Sequence, residues 1–176
     1  MSLSASQREA WLRDGFLHLP GFFGDGNQLA EWTDELSHWP ETVGKWMKYF
    51  ESSVDGRASR MLCRVENFLE HHSGWRGVIE DVRLTDVLAD LFEEPPVLFK
   101  EKINFKLPGG NGFSAHQDAP AFSAFGQSFH ITAMVSIDAA TVENGCLDMA
   151  VGQHSGGLLA MTEAQVLSEK SVEELD

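Results

Sequence analysis

His116 and Asp118 stand two residues apart in the stretch Gly-Phe-Ser-Ala-His-Gln-Asp-Ala-Pro-Ala-Phe, residues 112–122. On an extended backbone, side chains at i and i+2 leave the same face, so this imidazole and this carboxylate can close on one small ion. The pair is two-thirds of a facial triad, in which two histidines and a carboxylate hold an Fe(II) and leave positions open for a co-substrate and O₂. A bare His-x-Asp also arises by chance, and a structural histidine paired with an aspartate is then the plainer explanation. The flanking elements have to decide. His130 lies 12 residues beyond Asp118 and could supply a missing ligand, as in a cupin-like metal site, or serve as a hydrogen-bonding pocket residue.

Those elements are expected to be strands. Val97 to Leu107 alternates, with Lys100, Lys102, Asn104 and Lys106 on one face and Phe99, Ile103, Phe105 and Leu107 on the other. Lysines on one face either guard a solvated edge, which suits Lys106, or look into a cavity where an ammonium meets an acid group of a small molecule. Lys102 and Asn104 fit the second role. Glu101, on the apolar face, is expected to pair with a lysine of a neighbouring strand. Pro108 to Gly112 reads as a loop that delivers the chain to His116. Phe129 to Asp138 alternates again, placing His130, Thr132, Met134 and Ser136 on a face polar enough to line a pocket and apolar enough to keep water out. A turn at Glu143-Asn144-Gly145, a short strand from Cys146 to Val151 and a glycine-rich loop at residues 152–157 follow. Thr162 with Gln165 forms a capping box that opens an acidic helix or tail.

The N-terminal half has a different grammar. Ser4 and Gln7 make a capping box for a short helix that stops before Gly15, and Phe16 to Pro20 reads as a strand. Asn27 is a plausible N-cap for a helix in which Leu29, Trp32, Leu36 and Trp39 recur until Pro40. Residues 41–56 have weak periodicity and read as irregular with one helical turn, whereas Arg60 to Phe68 reads as a strand with Arg60, Leu62, Arg64 and Glu66 on one face. His71-His72 belongs in a loop, since neighbours on a regular element cannot easily chelate one ion. Leu84, Val87, Leu88, Leu91 and Phe92 mark an amphipathic helix before Pro95-Pro96. The expected organisation is one domain over residues 1–176, with a helical layer to residue 96 and a β core from 97 onward.

Composition narrows the partners. The chain has 176 residues, 27 acidic and 13 basic, for a formal charge of −14, which argues against nucleic acid or an anionic membrane surface. No apolar run approaches the roughly 20 residues of a membrane span, and the first residues lack a signal-peptide pattern, so the chain reads as soluble and cytoplasmic. Cys63 and Cys146 show no CxxC spacing and read as reduced and buried.

Taken together, His116-Gln117-Asp118 after a proline-glycine loop, the strand at 129–137, Glu143-Asn144-Gly145-Cys146-Leu147 and Gly152-Gln153-His154 resemble the phytanoyl-CoA dioxygenase family of Fe(II)- and 2-oxoglutarate-dependent oxygenases. The resemblance is strongest from Val97 to Gly157. It implies a double-stranded β-helix, the cupin-like jelly roll, with iron held by His116 and Asp118 and with O₂ and 2-oxoglutarate as co-substrates. It places Lys102 and Met134 on the 2-oxoglutarate wall and Gln117 between the ligands, and leaves Asn104, His130 and Thr132 to orient a substrate. The run Phe105-Lys106-Leu107-Pro108-Gly109 and the run from His116 to Phe122 are most similar to bacterial members acting on small metabolites, some of them aminoalkylphosphonates.

Two family features are missing. The second iron-binding histidine and the arginine that meets the far carboxylate of 2-oxoglutarate belong to later strands, yet no histidine follows His154 and no arginine follows Arg83. Residues 97–176 leave room for about five strands, whereas a jelly roll needs about eight. The sequence is therefore expected to be the first part of a longer hydroxylase, its jelly roll incomplete. The competing expectation is a non-catalytic module that binds metal weakly, or none, and serves as a binding or interaction protein.

Overall fold

The computed structural model describes residues 2–24, 26–127, 129–164, 166–173 and 175, with Ser123 described by its backbone alone. In chain order its main elements are α1 (Ala5–Asp14), α2 (Asn27–His38), β1 (Met47–Glu51), β2 (Met61–Glu66), α3 (Ser73–Ile79), α4 (Val82–Phe92), β3 (Lys102–Asn104), α5 (Ala119–Phe122) and α6 (Glu169–Glu173). They fall into two compact units. The first comprises Met1–Leu3, Gly21–Gly112 and Ile137–Ala139; the second comprises Ser4–Pro20, Phe113–Ser136 and Ala140–Asp176.

The first unit is built on an antiparallel sheet in the order β1-β2-β3. Its register sets Lys48 opposite Val65 and Val65 opposite Ile103, so these residues share one face, and Val65 and Ile103 are buried there. Leu3, together with Leu29 and Leu36 of α2, Val87 of α4, Phe68 and Trp75, completes the buried apolar set among the described residues of this unit. Each such side chain contributes about 1.5–3 kcal/mol through removal from water. The lysine on this face is anchored rather than solvated: Lys48 Nζ donates to the carbonyls of Ser37 and Trp39, and burial pushes its pKa down. Helix α3 begins at His72, whose Nδ1 accepts from the Trp75 amide. His71 closes a short 3-10 turn, Leu69–His71, and His72 serves as this cap, so the pair sits at a junction of elements rather than in a plain loop.

Several expectations need correction. Residues 47–51 form β1, not irregular chain, because pairing with β2 supplies the order that weak local periodicity could not reveal. The strand expected from Val97 to Leu107 contracts to Lys102–Asn104, the only part with ladder partners on β2 among the described residues. Val97, Leu98 and Phe99 stay exposed. Glu101 accepts from the Leu69 amide instead of meeting a lysine. Gly26, in the left-handed region, takes the N-cap expected of Asn27, which becomes the first helical residue of α2. No strand forms among the described residues of 16–20, 129–138 or 146–151. Alternation shows that a segment could be half-buried in a sheet, but a strand exists only where a neighbour accepts its backbone hydrogen bonds.

In the second unit, α1 matches its sequence signals closely. The Ser4 hydroxyl accepts from the Gln7 amide and the Gln7 side chain accepts from the Ser4 amide, while Gly15, at φ +82°, closes the helix by donating to the Trp11 carbonyl. The Gly152 amide donates to Asp14 O at 2.8 Å, and a Cβ on Gly15 would lie 2.3 Å from His154 Nδ1. The glycine-rich loop therefore seats on the end of α1, and Gly15 is needed both for its φ and for its lack of a side chain. The capping box expected of Thr162 and Gln165 involves a residue outside those described; Thr162 donates its amide to Val166 O, beside a bridge between Met161 and Leu167. Both cysteines are free, but Cys146 is exposed, because the strand expected to bury it does not form. No helix among the described residues is long and apolar enough to cross a membrane.

Candidate metal centre

His116 and Asp118 do meet, though on irregular chain rather than on a strand. His116 Nε2 lies 3.4 Å from Asp118 Oδ1. His116 Nδ1 lies 2.7 Å from the Ser114 carbonyl, which can only accept, so Nδ1 carries the hydrogen. In neutral imidazole Nε2 then presents a lone pair towards the carboxylate. Two acceptors facing each other need a cation between them, either a proton or a metal. Donors bound to one ion by bonds of about 2.1 Å are about 3.0 Å apart at a right angle and about 3.4 Å apart at a tetrahedral one. The observed 3.4 Å matches the wider of the two separations. The donor set of one imidazole nitrogen and one carboxylate oxygen suits Fe(II).

Surrounding hydrogen bonds hold the pair. Thr132 Oγ1 donates to Asp118 Oδ2 at 3.1 Å, leaving Oδ1 for the histidine side. Gln117 spans to residues 157–159, its Nε2 donating to Gly157 O at 2.9 Å and its Oε1 accepting from the Leu159 amide at 2.8 Å. The Leu167 amide donates to Ala115 O at 2.8 Å. Main-chain bonds from two directions thus fix the segment that carries both candidate ligands. Outer-shell partners of this kind usually set ligand orientation at metal sites.

The remaining candidates are distributed differently. Gln117 already uses both ends of its amide on backbone, so it positions the loop. Thr132 touches the candidate ligand itself. His130 packs edge-on against Phe122 with centroids 4.9 Å apart and does not join the pair. Met134 is exposed. Lys102 and Asn104 lie on β3 of the first unit, where Asn104 Oδ1 accepts from Arg64 Nε at 3.1 Å. Among the described residues no group of three His, Cys, Asp or Glu side chains is placed to hold a metal, so a cupin-like site completed by His130 is not formed.

Sequence reading missed Ser114 as the group that sets the tautomer, since a carbonyl bond two residues back leaves no compositional trace. It also missed Glu51. The Asn111 side chain and amide donate to the Glu51 carboxylate and hold its pKa below the ordinary value. This ties the loop before Phe113 to β1. A separate groove of about 390 Å³ in the first unit is lined by Thr33, Asp34, Ser37, Leu62, Phe105 and Ile137. The Thr33 and Ser37 hydroxyls there donate to carbonyls of their own helix.

Comparison with known proteins agrees with the motif reading. The model of the phytanoyl-CoA dioxygenase (PhyH) family matches residues 11–174. A 2-aminoethylphosphonate dioxygenase from uncultured bacterium HF130_AEPn_1 is 53% identical over 148 residues, covering 83% of this chain and 56% of that protein. A methylphosphonate hydroxylase from Gimesia maris is 38% identical over 177 residues, covering 99% of this chain and 66% of that protein. A more distant relative from Stutzerimonas stutzeri, named a probable alpha-ketoglutarate-dependent hypophosphite dioxygenase, is 28% identical over 155 residues, covering 86% of this chain and 54% of that protein. The chain spans less than two thirds of the length of each of these relatives. No solved structure matches it.

Proposed function

The chain belongs to the phytanoyl-CoA dioxygenase family, and from that membership we infer that it carries the first two metal ligands of an Fe(II)- and 2-oxoglutarate-dependent oxygenase that hydroxylates a small organophosphonate. The observation that carries this reading is the His116–Asp118 pair, with Nε2 and Oδ1 3.4 Å apart and the imidazole hydrogen committed to Ser114. The phosphonate class is suggested by the names of the two most similar relatives described above. The double-stranded β-helix and a single domain over 1–176 are part of the same proposal, on the family membership. A cytoplasmic location belongs to it as well.

In this account His116 and Asp118 hold the metal, and Thr132 keeps the Asp118 carboxylate turned so that one oxygen remains available. Gln117 and the Ala115 carbonyl keep the ligand loop from rearranging. Lys102 and Met134 are assigned to the 2-oxoglutarate wall, and Asn104 and His130 to substrate orientation, on the resemblance alone. Bound Fe(II), with 2-oxoglutarate and O₂, supplies an oxidant able to break a C–H bond. The chain's own task is to fix ligand geometry.

The test is succinate formation from 2-oxoglutarate by the full-length gene product with Fe(II) and 2-aminoethylphosphonate. Turnover is expected to fall to background when His116→Ala and Asp118→Ala are combined. Turnover that survives the double substitution contradicts the assignment of His116 and Asp118 as metal ligands, whereas no turnover by the wild type makes the non-catalytic module the better reading.

A further inference from the structure

Hydrogen bonds and short stretches of chain lead from the end of helix α1 to the His116–Asp118 pair, wholly within the second unit. The last carbonyls of a helix have no partner inside it. In α1 the Asp14 carbonyl finds one in the Gly152 amide, 2.8 Å away, and the His154 side chain lies directly against Gly15. Between these contacts the chain makes a single 3-10 turn, Gln153–Ser155, closed by Gly156 N on Gln153 O at 3.4 Å and by Ser155 Oγ on Gly152 O at 3.2 Å. Residues 152–156 therefore form a tight turn seated on the helix end. No residue of α1 is buried, so this seat is not a by-product of core packing.

The next residues reach the ligand loop. Gly157, at φ +80°, turns its carbonyl to Gln117 Nε2 at 2.9 Å, and the Leu159 amide donates to Gln117 Oε1 at 2.8 Å. Two bonds from one side-chain amide to one backbone stretch fix both its distance and its plane. Gln117 stands between His116 and Asp118, whose donor atoms approach to 3.4 Å on chain that has no ladder to set their spacing. A shift of residues 157–159 is thus passed to Gln117 and to both its neighbours. An ion is taken only when both donors are in place, so the apparent affinity falls with the fraction of molecules that hold them there.

We propose that the C-terminal end of α1 positions the ligand segment, residues 115–118, through the turn at 152–156 and Gln117, with Gly15, His154 and Gln117 as positioning residues. What the segment binds rests on the oxygenase reading. Spatial continuity alone does not demonstrate coupling, which a double-substitution cycle measures directly.

Fe(II) affinity of the full-length gene product is measured anaerobically by calorimetry with the metal alone, in the wild type, Gly15→Ala, His154→Ala, Gln117→Ala and the Gly15→Ala/Gln117→Ala double variant, and amide exchange is followed in the metal-free proteins. Gln117→Ala is expected to weaken Fe(II) binding by about tenfold. Gly15→Ala should weaken it by about threefold or more, and His154→Ala less, in the same direction. The double variant should bind no more weakly than Gln117→Ala, because Gly15 acts through Gln117. In metal-free Gly15→Ala the Leu159 amide should exchange faster, while the Thr162 amide, bonded to Val166 O in the same unit, keeps its rate. If Gly15→Ala does not fold, His154→Ala takes its place in the cycle and in the exchange comparison. Penalties that multiply in the double variant, unchanged exchange at Leu159, or equal acceleration at Leu159 and Thr162 would each overturn the proposal. The two readings fail separately. If the wild type binds no Fe(II), the oxygenase reading falls and the exchange comparison decides the coupling; if Fe(II) binds and Gly15→Ala moves neither readout, the coupling falls and the oxygenase reading stands.

Discussion

The two units are held together by different physics. In the first, Leu36, Val65, Phe68, Trp75, Val87 and Ile103 are withdrawn from water, and even a carboxylate, Glu66, is buried among its partners. In the second, Leu167 and Ser171 alone are buried among the described residues, while Phe125, Phe129, Met134, Leu147 and Leu158 are exposed. The candidate metal ligands belong to this second kind of structure. Their geometry comes from hydrogen bonds of loop to loop, through Gln117, Thr132 and the Ala115 carbonyl, rather than from a core. A site can therefore be ordered locally without deep burial, provided its backbone groups find partners.

The contrast can be broken most strongly at Phe68. Phe68→Ala should destabilise the first unit by about 3–5 kcal/mol, whereas Leu147→Ala, at a position 58% exposed, should change stability by less than about 0.5 kcal/mol. Urea denaturation of both variants checks this, and similar losses would erase the distinction between the units. A smaller effect is expected at Gly15, where φ is +82° and an added Cβ would collide with His154. Gly15→Ala should cost roughly 1–2 kcal/mol or more, read as faster amide exchange at the end of α1 and in residues 152–154. Unaltered exchange there would show that backbone geometry does not hold this part of the second unit.

The smallest effect concerns Glu51, whose pKa is lowered chiefly by the Asn111 side chain and then by the Asn111 amide. A carboxyl with a depressed folded-state pKa stabilises the fold above its ordinary value of 4.5, and that contribution disappears as pH falls through the lower folded value. Amide exchange at Asn111 should therefore accelerate in acid below that ordinary value, and Glu51→Gln should remove the pH dependence. Identical acid profiles for the two proteins would contradict the link.

How much was legible follows the range of each interaction. Helix α1 could be read residue by residue, because Ser4, Gln7 and Gly15 act within a turn or two of one another. The stripe from Leu84 to Phe92 likewise became α4, and the shared face of Arg64 and Glu66 was visible from alternation. The strands at 129–138 and 146–151 were not realised, since their formation depends on partners that no local pattern specifies. Residues 47–51 are the converse, a strand made by its neighbour. At the candidate metal centre, the His116–Asp118 pairing was readable from spacing, and family membership from the order of motifs. The roles of Thr132 on Asp118 and of Gln117 on residues 157–159 were not, because each spans 14 residues or more.

The central claim is that His116 and Asp118 bind one metal ion together, and anaerobic titration of the full-length gene product with Fe(II) in the presence of 2-oxoglutarate tests it most directly. The account predicts one Fe(II) bound per chain in the wild type and loss of that binding in both His116→Ala and Asp118→Ala, with the fold intact by circular dichroism. Undiminished Fe(II) binding in either folded variant would contradict it.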